Sequence, residues 1–98
     1  MGNSLKSAQF LMDSRIADAA AGDTQALFEL GAIFSTGANG ADVDMIEAHK
    51  WFNLAAAAGH EEAAFCRAEI SDEMSAREIS IAQKNARAWL QMNSRRAA

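Results

Sequence analysis

The sequence predicts an all-α fold, a superhelical α/α solenoid of about five antiparallel helices, and three observations carry that expectation. Alanine supplies 23 of the 98 residues and proline none, so the best helix former is abundant and the strongest breaker is missing. Apolar residues recur at helical spacing between glycine stops and capping side chains, and no run of β-branched and aromatic residues suits a strand. The stretch AAAGDTQALFELG, Ala19 to Gly31, returns 37 residues later as AAAGHEEAAFCRA, Ala56 to Ala68, so the chain repeats a helix-turn-helix unit. A hairpin of this size cannot bury its apolar face alone and does so by stacking on a neighbour.

Each helix follows from its own start and stop. The first, roughly Ser4 to Ala21, places Ala8, Met12, Ile16, Ala19 and Ala20 on one side, and Gly22 supplies a left-handed stop. Asp23 caps the second, whose buried stripe is Ala26, Leu27, Leu30, Ile33 and Phe34, ending near Thr36. Gly37 to Val43 is a loop rich in residues that tolerate positive φ. Asp44 with Glu47 forms a capping-box pattern for a third helix that carries His49, Trp51, Phe52 and Ala55 to Ala58, before Gly59. The fourth starts near His60, has Glu61 and Glu62 in the turn where the helix dipole favours negative charge, and fades around Glu73 or Met74. Ser75 and Glu78 make the best capping box in the chain and open a last helix with Ile79, Ala82, Ala86, Trp89 and Leu90 on one face. Lys84, Arg87 and Gln91 fall opposite, and Arg95 and Arg96 sit near its end, a basic cluster read as a solvated face.

The chain reads as one domain over 1–98: an N-terminal helix at 1–21, the clearest repeat at 22–58, a degenerate capping repeat at 59–93 and a tail at 94–98. A net charge of −4 gives no long-range attraction to nucleic acid or an anionic membrane, and favours a basic or neutral partner. The apolar stretch from Ser7 to Met12 is cut short by Asp13 and Arg15, Lys6 stands where an acyl-acceptor pattern needs serine or threonine, and no segment reaches about 18 apolar residues. A cytoplasmic location is therefore expected, and a removed leader would leave no trace in the chain.

Catalysis and metal binding find little support. Cys66 is alone, which excludes an intramolecular disulfide and fits a reducing compartment. His49, His60 and Cys66 offer three zinc ligands at most, at spacings that match no usual pattern. Cys66 as a nucleophile with His60 as base lacks a third group to orient the pair, and Asp42 and Asp44 with Gly40 lack the other acidic ligands of a calcium loop. No enzyme activity, metal or cofactor is expected. His60 aligns with Asp23 and is read as a helix-end residue, and Trp51 and Trp89 are read as core.

Ala26, Leu30-Gly31, Phe34 and Gly37, followed by Asp44, Ala48, Trp51-Phe52, Ala55-Ala56, Gly59-His60 and Ala63, resemble the pattern of the Sel1-like repeat family, relatives of the tetratricopeptide repeats. One near-complete unit spans about 22 to 58. The second unit departs from it, with Arg67 and Ser71 where the first has Leu30 and Phe34, as suits a terminal cap. The loop from Gly37 to Val43 is one residue longer than the usual form.

What the resemblance implies is a stack of antiparallel helix pairs that acts as a protein-binding scaffold. The groove-facing positions carried over from the family are Gln25, Phe28, Ala32 and Ser35, then Glu62, Phe65, Glu69 and Asp72. Two aromatics in an acidic setting suit a basic or amphipathic peptide. Phe28 and Phe65 either line that groove or fill the gap between neighbouring helices, and both readings stand at this point. The alternative function is a self-assembling module, a homo-oligomer formed through the uncovered ends of the stack.

Overall fold

Side chains within three residues of the boundary cap four helix starts, and the backbone of three glycines closes three helix ends. The structure, a computed structural model, describes residues 3–97, with side chains over residues 7–94. Its helices are α1 (Asn3–Ala20), α2 (Thr24–Thr36), α3 (Met45–Ala57), α4 (Glu61–Ser71) and α5 (Ala76–Ala97), with a 3-10 turn at Ala38–Gly40. Among the described residues there is no strand. Helix α5 continues through Ala97, so the stretch read as a tail from residue 94 is helical that far, and the side chains of Arg95 and Arg96 lie outside the described residues.

The repeat seen in the sequence has the same backbone at both corners. Gly22 and Gly59 take φ of +98° and +100°, a region that favours glycine. The Gly22 N–H donates to Ala19 O and the Asp23 N–H to Asp18 O; 37 residues on, Gly59 donates to Ala56 O and His60 to Ala55 O, each bond being 3.0 Å. This is the paired-bond glycine stop that satisfies the last carbonyls of a helix. The next helix is capped at both corners too. Asp23 Oδ1 accepts from the Gln25 and Ala26 N–H groups, and His60 Nδ1 accepts from the Ala63 N–H.

Between α2 and α3, Gly37 (φ 74°) donates its N–H to Ile33 O at 2.8 Å, and Asn39 (φ 57°) and Gly40 (φ 79°) turn the chain. Asp44 Oδ1 accepts from the Glu47 N–H, but only this half of the expected capping box forms. The Asp44 N–H is already taken by Phe34 O at 2.9 Å, and the Glu47 carboxylate pairs with Lys50 instead. At Ser75 and Glu78 both halves form, at 2.9 and 3.1 Å. The α-helical part of α4 ends at Ser71, two residues short of the expected Glu73, and the N–H groups of Asp72, Glu73 and Met74 each reach back three residues in a tightened turn.

Helix α3 is the centre of the packing, with α2, α4 and α5 against it, while α1 rests on α2. Small residues allow this closeness: Ala48, Ala55, Ala63 and Ala82 are wholly buried. The two large rings of α3, Trp51 and Phe52, are 3% and 2% exposed, and burying a side chain of this kind contributes roughly 1.5–3 kcal/mol. Helix α5 lies along α3 more than along α4, held by Trp89 edge-on to Trp51 at 4.7 Å and 74°. Both tryptophans therefore serve the packing. Helices α2 and α4 meet where α4 begins, through His60. Among the described residues no helix is long and apolar enough to cross a membrane.

Candidate functional site

The eight groove positions divide into a partly covered set on α2 and an exposed set on α4. On α2, Gln25 is exposed and its Oε1 lies 3.2 Å from His60 Nε2. Because Nδ1 of that ring accepts the Ala63 N–H, Nε2 carries the proton and donates to Gln25. The fixed imidazole then stacks on Phe28, with ring centres 4.4 Å apart and planes 9° apart. Phe28 is half-buried and also leans on Phe52 at 5.7 Å. Ser35 donates its hydroxyl to Ala32 O at 3.1 Å, and Ala32 borders a small cleft toward α1 with Leu11 and Arg15. Arg15 there pairs with Glu29, tying α1 to α2.

On α4 the stripe faces out. Glu62, Phe65, Glu69 and Asp72 are all exposed, Phe65 by 66% of its surface. Glu62 lies three residues before Phe65 and Glu69 four after, so both carboxylates flank the ring on one helix face. Among the described residues none of Glu61, Glu62, Glu69, Asp72 and Glu73 belongs to an ion pair. Their field is felt next door. Burial first, then the charges of Glu62 and Glu69, push the half-buried Cys66 thiol up, which keeps it protonated and a poor nucleophile.

Phe28 and Phe65 occupy equivalent repeat positions yet differ in exposure, and the cause is the segment one repeat further along the chain. Phe28 is covered by His60, the cap of the next helix. The position equivalent to His60 one repeat later, 97, lies within α5, which packs on α3. Phe65 accordingly joins no ring pair among the described residues.

Two features lie beyond what the sequence pattern predicts. Arg67, at the repeat position of the fully buried Leu30, donates to Asn53 Oδ1 at 2.7 Å, and Ser71 donates to Arg67 O at 2.7 Å. The two polar replacements in the degenerate unit are thus satisfied separately, Arg67 by Asn53 of α3 and Ser71 by a backbone carbonyl of its own helix; Asn53, polar within the apolar run from Trp51 to Ala58, is the available signal. The second feature is an apolar cleft of about 490 Å³ between α1, α2, α3 and α5, bordered by Ala19, Leu27, Leu54, Trp89 and Leu90. Leu90 there stays 51% exposed, whereas its spacing predicts a place on the packed face with Trp89.

Compared with protein-family models, with curated proteins and with solved structures, the chain matches none. The fold defines the class: an all-helical chain with two like helix-turn-helix corners and an open acidic face on α4.

Proposed function

We propose that this chain is a protein-interaction module, a short helical solenoid of the Sel1-like kind that holds a basic, amphipathic segment of a partner protein against α4. The observation that carries the reading is Phe65, an exposed aromatic ring flanked by the carboxylates of Glu62 and Glu69, which join no ion pair among the described residues. Covering a phenylalanine contributes roughly 1.5–3 kcal/mol, while a pair of exposed charges contributes about 0–1 kcal/mol. The ring therefore supplies most of the affinity, and Glu62, Glu69 and Asp72 supply selectivity and encounter rate. Phe28 and Gln25 stand beside the start of that face, held by His60. The Leu30-Gly31 and Trp51-Phe52 pattern and the two matched corners support a repeat architecture.

A helical peptide of lysine and leucine at spacings of three and four residues, and its glutamate-leucine counterpart, test the proposal by isothermal titration calorimetry. Only the lysine peptide should bind, with a Kd near the micromolar range that weakens as salt rises. Phe65→Ala should weaken it about tenfold or more with an unchanged circular dichroism spectrum. Equal binding of both peptides, or an indifferent Phe65→Ala, contradicts the proposal.

A further inference from the structure

The outward face of α5 carries what the outward face of α4 requires of a partner. On α4, Glu62, Phe65 and Glu69 stand at steps of three and four residues; on α5, Arg77, Ile81 and Lys84 stand at steps of four and three. Steps of three and four keep each set on one side of its helix. Laid antiparallel, the two sets match at every position: Glu62 against Lys84, Phe65 against Ile81, Glu69 against Arg77. All four charged residues are exposed, as are Phe65 and Ile81. Among the described residues none of the four belongs to an ion pair. The asymmetry extends along the chain, since residues 61–73 hold five carboxylates and one cation, and residues 77–96 hold five cations and one carboxylate.

Building on the docking role of α4 proposed above, we infer that the segment it holds is α5 of a second copy of this chain. The same register would close within one molecule if α5 folded back along α4. It does not, because Trp89 holds α5 against Trp51 of α3 and leaves both stripes open. The contact joins two different surfaces, so each copy keeps one free α4 and one free α5, and association continues past the dimer. One helix against another lies at the small end of specific interfaces, so the contact is weak and salt-sensitive.

Sedimentation equilibrium of the full chain up to about 1 mM (a weak-complex Kd) at about 10 mM and about 500 mM salt tests this. The average mass should rise beyond that of a dimer at low salt and return to the monomer at high salt. Glu62→Lys with Glu69→Lys, and separately Arg77→Glu with Lys84→Glu, should each be monomeric, and an equimolar mixture of the two variants should associate again. A pair that loses its helical circular dichroism signal is replaced by the glutamine versions, which should also abolish association. Wild-type chain that stays monomeric at low salt, variants that associate unchanged, or a mixture that stays monomeric overturns the inference. Adding the lysine-leucine peptide to the same wild-type samples separates the two readings. Peptide binding by a chain that stays monomeric overturns the second copy alone, and no binding overturns the docking role as well.

Discussion

The ring of Phe52 lies directly on the backbone of Gly31, where a β-carbon would fall 2.6 Å from Cε1 and 2.8 Å from Cγ. This is how α2 and α3 come so close, and it gives a physical reason for Leu30-Gly31 and Trp51-Phe52 in one chain. Alanine in place of glycine inside a helix ordinarily stabilises by about 1 kcal/mol. Here the sign reverses. Gly31→Ala should cost about 1–3 kcal/mol in urea unfolding, because the ring is itself buried and cannot give way freely. Adding Phe52→Leu should restore part of that loss, and a Gly31→Ala chain more stable than wild type would contradict the packing.

Gly22 and Gly59 make a different comparison. At neither position would a β-carbon meet another atom within 4 Å, so the left-handed backbone alone sets the cost of a side chain. Gly22→Ala and Gly59→Ala should each destabilise by about 1–2 kcal/mol, by nearly equal amounts, and the double variant should show their sum. A clearly unequal pair, measured by urea unfolding, would mean that the corners are alike in hydrogen bonds but not in energetics.

His49 is 3% exposed, and its Nδ1 has no hydrogen-bond partner among the described residues. Burial first, and then the Arg67 guanidinium on α4, lower its pKa below the ordinary 6.5. The unfolded chain therefore takes up this proton first on acidification. The contribution of His49 to stability is complete above about 6.5 and is lost as pH falls from there toward the lowered folded-state value. Urea unfolding between about pH 8 and pH 5 should show wild type losing stability across that window relative to His49→Leu. Parallel curves for the two chains would contradict the assignment.

The helix ends were legible in the sequence because the groups that set them act locally. Asp23, Asp44, His60 and Ser75 each cap within three residues, and Gly22, Gly37 and Gly59 stop helices through their own backbone. Contacts between distant segments were not legible. Nothing local places His60 on Phe28, 32 residues earlier, or decides that Phe65 at the equivalent position is left uncovered. The lean of α5 on α3 depends on Trp89 meeting Trp51, which periodicity cannot pair. His49 sits mid-helix beside Lys50 in the sequence, and only the packing of α3 at the centre buries it.

Helix α4 as the docking face is tested most directly by amide chemical-shift mapping of the nitrogen-15-labelled chain with the lysine-leucine peptide, at a dilution and salt where the chain is monomeric. The largest saturable shifts should fall over residues 61–73 and centre on Phe65, with little change around Leu90. Shifts confined to the cleft around Leu27, Leu54 and Leu90, or none that saturate, would contradict it.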